Sequence, residues 1–296
     1  YVFLADVQAL TDNAENSQKV RDSILEVALD YLAVGINPEK TTIFIQSMIP
    51  EIAEMTVFFL NLVSLARLKR NPTVKDEMNQ KGFGEDVPAG FLSYPVSQAA
   101  DILFLRANTI PVGEDQLPVI EQTNEIVNKF NNIYGNFFEE VKPIISNVPR
   151  LVGIDGNAKA SKSLGNAIFL SDDYDTIKKK VMSMYTDPNH INLNDPGKVE
   201  GNVVFTYLDI FDDKKDEVSE LKKQYEKGGL GDVVLKNRLI EVLEKMISPI
   251  REKRKELEGN KDKIIKDIEK STIEVQKRAH ERMNEMKKVM KINYFS

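Results

Sequence analysis

Three short segments of this chain carry residue types and spacings that could do chemistry. From Gly156 to Gly165 the sequence reads Gly-Asn-Ala-Lys-Ala-Ser-Lys-Ser-Leu-Gly, which puts Lys159, Ser161, Lys162 and Ser163 on a stretch bracketed by glycines. Two ammonium groups can each set a point charge on a phosphate, and two hydroxyls can donate hydrogen bonds to it. From Ile110 to Gln116 the sequence reads Ile-Pro-Val-Gly-Glu-Asp-Gln, a strand running into a helix. Gly113 lets a ligand approach the backbone there, and the amides that follow form a polar cradle. An acid near a helix start repels phosphate, so Asp115 better suits a ribose hydroxyl or an ammonium group. The third segment is Tyr94-Pro95-Val96-Ser97-Gln98-Ala99-Ala100-Asp101. With Pro95 in a first helical turn, Tyr94, Gln98 and Asp101 fall at i, i+4 and i+7 on one face, where a phenol, an amide and a carboxylate could hold an amino acid's polar groups. Each segment also has a plain alternative: a solvated loop, an aspartate that caps its own helix, and a solvent-facing stripe.

The elements that must position these residues alternate in period. Tyr1 to Ala5 reads as a buried strand ending at Asp6, and Thr41 to Gln46 as a second strand covered on both faces. Between them Asn16 or Ser17 caps a helix with Val20, Ile24, Val27, Ala28 and Tyr31 at helical spacing, stopped by Gly35 and Pro38. A long apolar helix is expected from about Glu51 to Leu68, another opening near Pro95, a strand over Thr109 to Val112, and a helix from about Asp115 to Asn131. Such alternation implies an α/β domain with a doubly wound parallel sheet, whose ligands bind beyond the carboxyl ends of the strands. Asp6, Gln46 and Gly113 fall at those ends.

Beyond Ser171 the pattern is helical throughout: Asp173 to Met184, Val203 to Phe211, Asp216 to Lys227, Asp232 to Arg251 and Ser271 to Met290. Ser271 with Glu274 has the spacing of a capping box for the last helix. The expected division is therefore residues 1–170 as an α/β domain and 171–296 as an all-helical C-terminal domain. The chain also begins within a strand, so a preceding segment with the sheet's first strand and phosphate-binding turn is expected.

Composition narrows the class. The 296 residues are 42% hydrophobic and 29% charged, with no cysteine and two histidines. Disulfides and thiolate chemistry are excluded, two histidines leave little room for a multi-histidine metal site, and no metal-ligating residue is assigned. His190 and His280 read as surface residues. The longest apolar stretch, Met55 to Ala66, is too short for a membrane span, and a cytoplasmic location is expected. The net charge of −6 argues against a protein that coats nucleic acid non-specifically. From Arg251 onward, however, 14 basic residues face 9 acidic ones, which permits local contact with a polyanion or forms a solvated helix face.

Together the three segments resemble the tryptophanyl-tRNA synthetases, a class I aminoacyl-tRNA synthetase family. Gly113-Glu114-Asp115-Gln116 resembles that family's GEDQ signature, and Lys159-Ala160-Ser161-Lys162-Ser163 its KMSKS loop with Ala160 for methionine. The segments from Val181 to Pro188 and from Pro196 to Asn202 are similar to family segments as well, and the likeness runs the length of the chain. The resemblance implies a Rossmann-like catalytic domain and a helical, anticodon-binding domain. It implies ATP-dependent activation of L-tryptophan to tryptophanyl-adenylate, transfer to tRNA(Trp), Mg²⁺ carried on the ATP phosphates, and a homodimer. By the same resemblance Lys159 and Lys162 stabilise charge on the phosphates, and Gly113, Asp115, Gln116, Ser161 and Ser163 contact ATP. Tyr94 and Gln116 hold the α-amino group, Asp101 accepts the indole N–H, Gln98 lies beside the indole, and Ile110 and Val112 press on the ring. The helix from Glu51 to Leu68 is a candidate for the dimer interface or, equally, a core helix. The family's first, HIGH-type motif is expected before Tyr1, and a molecule starting at Tyr1 is expected to form no adenylate. The alternatives are a tyrosyl-tRNA synthetase-like enzyme and a non-catalytic nucleotide- or tRNA-binding relative.

Overall fold

Side-chain caps begin several of the helices. The Asn16 side chain accepts the Lys19 N–H at 3.1 Å, and Asp173 accepts that of Thr176 at 2.8 Å, each starting a helix where the sequence pattern placed one. The structure, a computed structural model, describes residues 1–84, 86–146, 148, 151–157, 159–161 and 164–295. It divides into two compact units, Tyr1–Asn147 with Glu258–Ser296, and Val148–Leu257. This cut differs from the expected one at 170/171. The last helix shares the hydrophobic core of the first unit through Val275, Ala279, Met283 and Met286.

In the first unit, β1 (Val2–Leu4) pairs in parallel with β2 (Ile43–Ile45), Phe3 opposite Phe44. A second parallel pair joins β3 (Thr109–Val112) to β4 (Lys142–Ile145), Ile110 opposite Pro143. β4 carries two apolar residues after a Lys-Pro and had too short a pattern to be expected. Helices α1 (Asp6–Asn13), α2 (Ser17–Ala33), α3 (Pro50–Leu60), α4 (Leu65–Lys69), α5 (Pro72–Lys81), α6 (Ala89–Leu103) and α7 (Leu117–Tyr134) connect and cover the strands. Ile43 and Phe44 are both buried, as a strand covered on both faces requires.

Four expectations are corrected here. The helix foreseen from Glu51 to Leu68 is two, because Ser64 starts α4 afresh by accepting the Arg67 N–H at 3.2 Å. α6 begins at Ala89 after Pro88, so Pro95 lies inside the helix rather than in its first turn. α1 and α5 arise where no helix was expected, α5 between an Asn71 cap and a left-handed Gly82 (φ 67°). Ser271 is not a helix cap. It sits inside the long last helix, whose apolar positions Ile264, Ile268, Val275 and Ala279 keep helical spacing straight through it, and its hydroxyl donates to the carbonyls of Ile268 and Ile43.

The second unit is built on α8 (Tyr174–Met182), α9 (Val203–Phe211), α10 (Lys215–Lys227) and α11 (Asp232–Glu258) around Val204, Phe205, Tyr207, Tyr225 and Leu239. α12 (Lys261–Val289) follows and belongs to the first unit. His190 is not a surface residue: its ring is buried against Tyr225, with Nδ1 2.8 Å from the Asp195 carbonyl and Nε2 3.0 Å from that of Leu230. A polar sequence neighbourhood hid a loop that folds back over the ring. His280 is exposed as expected. No helix among the described residues is long and apolar enough to cross a membrane.

Candidate functional site

Helix α6 sets the first part of the site. Its seven-residue spacing does place Tyr94, Gln98 and Asp101 on one side, and that side is turned inward: Tyr94 and Asp101 are both buried. A cleft of about 360 Å³ in the first unit gathers Tyr94 and Gln98 from α6, Gln116 from the turn before α7, Gln8 and Thr11 from α1, and Glu77 from α5. Three of the expected amino-acid contacts thus meet in one cavity. The Gln98 side-chain oxygen and the Tyr94 hydroxyl are buried there without a hydrogen-bond partner of ordinary geometry. Burial first, and then the Glu77 carboxylate beside it, raise the Tyr94 phenol well above its ordinary pKa, while burial also raises Glu77. Polar atoms left unpaired in a cavity are costly to a protein alone and are satisfied by a polar guest.

Asp101 lies one turn further along α6. Gln46, the residue after β2, donates from Nε2 to Asp101 Oδ1 at 2.7 Å, and its Oε1 accepts the backbone N–H of Gln8 at 3.1 Å. Since Gln8 lines the cleft, a continuous hydrogen-bonded path joins Asp101 to the cavity wall. Burial pushes the Asp101 carboxyl up to about 7, against the Gln46 hydrogen bond, which lowers it. Ile110 and Val112 share the inward side of β3 and pack on the core cluster that also holds Ala100 and Leu103 of α6; they are not part of the cleft wall.

Gly113 to Gln116 forms a single tight turn, closed by the Gln116 N–H on the Gly113 carbonyl at 3.0 Å. Its position is fixed from α5: the Thr73 hydroxyl donates to the Asp115 carbonyl at 2.6 Å, and buried Asn71 donates to the side chain of buried Gln122 at 3.0 Å. Asp115 is exposed and does not line the cleft.

The second segment belongs to the other unit. Lys159 bridges to Val152 in an antiparallel pair, and the Ala160 N–H donates to Leu151 O at 3.0 Å. The buried Asn166 organises the turn: its Oδ1 accepts the Ser161 N–H at 2.8 Å and its Nδ2 donates to Asp155 Oδ1 at 3.1 Å. Gly153 permits this, since a Cβ there would lie 2.2 Å from Asn166 Nδ2. Lys159 is exposed. Lys162 and Ser163 lie outside the described residues.

Residue-type reasoning did not single out Gln46, Glu77 or Asn166 as site residues. Gln46 had a signal, its place at the carboxyl end of a strand. Glu77 sits on a helix that was not expected, and Asn166 acts through its neighbours.

A family model described as tRNA synthetases class I (W and Y) matches residues 1–248. The tryptophan–tRNA ligase of Streptococcus mutans serotype c is 56% identical over 301 residues, an alignment spanning 100% of this chain and 88% of that protein. That of Lactococcus lactis subsp. lactis is 56% identical with the same coverage. The tryptophanyl-tRNA synthetase of Campylobacter jejuni, solved in complex with ADP and tryptophan, superposes with a TM-score of 0.82 at 29% identity, covering 98% of this chain and 89% of that one. The chain therefore belongs to the class I tRNA synthetases of the tryptophan and tyrosine group, and within them to the tryptophanyl-tRNA synthetases.

Proposed function

We propose that the full-length protein joins L-tryptophan to ATP, giving tryptophanyl-adenylate and pyrophosphate, and then transfers the tryptophan to tRNA(Trp). The observation that carries the reading of the site is the buried Asp101 carboxylate on the same side of α6 as Tyr94 and Gln98. In the first step the amino acid's carboxylate attacks the α-phosphorus of ATP and pyrophosphate leaves, so the nucleophile is already ionised and no protein base is needed. Catalysis is then positioning and charge stabilisation. Tyr94 and Gln116 hold the α-amino group, Gln98 borders the indole, and Asp101 accepts the indole N–H with Ile110 and Val112 behind the ring. Gly113, Asp115, Gln116, Ser161 and Ser163 contact ATP, and Lys159 and Lys162 face its phosphates. Mg²⁺, held through the ATP phosphates that Lys159 and Lys162 are assigned to, would supply further neutralisation of their charge.

Specificity follows from the carboxylate. Phenylalanine carries no N–H, so binding it leaves a buried polar group unpaired and should be rejected by about 10⁴-fold or more. Tyrosine also offers a donor, and ring size and shape must exclude it. The test is ATP–pyrophosphate exchange with each of the three amino acids. Exchange with tryptophan alone is expected, and Asp101→Ala should abolish the preference over phenylalanine. Equal exchange with phenylalanine in the unaltered protein would sink the reading.

The remaining parts of the proposal are a homodimer, a helical anticodon-binding part, and a cytoplasmic location. In α3 the buried Ile52, Met55 and Phe59 face the core, while Val57 and Leu60 are exposed and supply the apolar surface that an interface would use.

A further inference from the structure

Gln46 is 2% exposed, sits at the carboxyl end of β2, and has both ends of its side-chain amide engaged. A backbone N–H can only donate, so the Gln8 N–H fixes which end of the amide is the oxygen. The nitrogen must then point at Asp101 Oδ1, as it does at 2.7 Å. The backbone of Gln46 is held as well, its carbonyl accepting the Ile49 N–H at 3.0 Å. The amide is thus a fixed donor aimed at one carboxylate oxygen, and Oδ2 of Asp101 receives no hydrogen bond among the described residues.

We infer that Gln46 is a positioning residue for tryptophan selection: it holds Oδ1 of Asp101 so that Oδ2 is turned to accept the indole N–H. The inference rests on the reading of Asp101 as the indole acceptor. It explains why a glutamine, with a donor and an acceptor at a fixed separation, stands where an apolar residue would otherwise continue β2. A bond from a neutral amide also favours the ionised acid without adding a counter-charge that would compete with the indole. Burial and this bond are the two influences on the Asp101 proton, one raising and one lowering its affinity.

These 296 residues contain no tryptophan, so they add no indole emission to that of bound tryptophan. The test uses the full-length protein, its Gln46→Met, Gln46→Glu and Asp101→Asn variants, and tryptophan titrations from about pH 6 to pH 9. ATP–pyrophosphate exchange is run in parallel to obtain KM for tryptophan and for ATP. Gln46→Met, nearly the same shape without the donor, should weaken tryptophan binding by roughly 10- to 100-fold, the worth of a hydrogen bond to a charged group. Its acid limb should move to higher pH while KM for ATP stays within about 2-fold, since neither residue is assigned to ATP. Gln46→Glu keeps the acceptor for the Gln8 N–H but sets a second acid against Asp101, so its acid limb should move further still. If Gln46→Met does not fold, the limb of Gln46→Glu decides alone. A folded Gln46→Met protein with unaltered tryptophan affinity and acid limb overturns the inference. If Asp101→Asn binds tryptophan as the unaltered protein does, the reading of Asp101 itself fails. If Asp101→Asn loses tryptophan while both Gln46 variants are silent, only the role of Gln46 is refuted.

Discussion

The side-chain oxygen of Asn166 accepts the backbone N–H of Ser161 at 2.8 Å, so a residue with no catalytic chemistry of its own sets the path of the Lys159–Ser161 segment. The same side chain donates to Asp155, and it is 5% exposed. Asn166→Ala removes both bonds and the longer one from Nδ2 to the Lys159 carbonyl at 3.4 Å, a loss of roughly 1–3 kcal/mol in stability. In the proposed reaction the variant should lower kcat for pyrophosphate exchange by about 10-fold and leave KM for tryptophan unchanged, because it disturbs groups assigned to the phosphates. Steady-state exchange kinetics with urea unfolding check both parts.

Gly153→Ala tests the close approach that Asn166 requires. A Cβ at that position would stand 2.2 Å from Asn166 Nδ2 and 2.6 Å from Asp155 Oδ1, so the turn must shift. We expect a destabilisation of about 1–3 kcal/mol, the usual cost of overpacking. A Gly153→Ala protein with the unaltered urea midpoint would contradict this geometry.

The buried Asp101 gives the ligand-free protein a distinctive pH dependence. Its folded-state value of about 7 lies above the ordinary 3.8, so between those values the folded state holds a proton that the unfolded chain releases. Stability from this group is greatest below the ordinary value, falls as pH rises toward 7, and is then flat. The loss is at most on the order of 4 kcal/mol, since each tenfold difference in proton affinity is worth about 1.4 kcal/mol. Asp101→Asn should flatten the fall. Urea unfolding of the two proteins at about pH 5 and pH 8 measures the difference.

Two residues two positions apart on α3 should behave oppositely. Phe59 is fully buried, with ring centroids 5.6 Å from Phe138 and 6.5 Å from Phe130, and Phe59→Ala should cost about 3–5 kcal/mol. A charge at Phe59 would therefore report on folding and not on an interface. Val57 is 58% exposed, and Val57→Glu should change stability by less than about 0.5 kcal/mol. In the proposed homodimer it should raise the protein concentration at which the dimer forms, which sedimentation velocity over a dilution series would show.

Local signals were enough to read the β1, β2 and β3 strands, most helix starts, and the three chemical segments. Each depends on a short range: apolar period, an Asn or Asp cap, a glycine in a turn, or a family motif. The Gly113–Gln116 and Lys159–Ser163 segments carried the family resemblance together with the Tyr94–Asp101, Val181–Pro188 and Pro196–Asn202 segments, and the likeness extends from Tyr1 to Ser296.

The tertiary structure decided what no local period encodes. The i, i+4, i+7 spacing of Tyr94, Gln98 and Asp101 made them share a side of a helix, but only packing could turn that side inward and away from water. The bond from Gln46 to Asp101 joins residues 55 positions apart, and the path through Gln8 adds a separation of 38. The assignment of α12 to the first unit rests on Met283 and Met286 meeting a core built from residues between Phe44 and Val141. Burial and long-range hydrogen bonds are properties of the folded neighbourhood, so the residue types were written in the sequence and their protonation, partners and exposure were set by the fold.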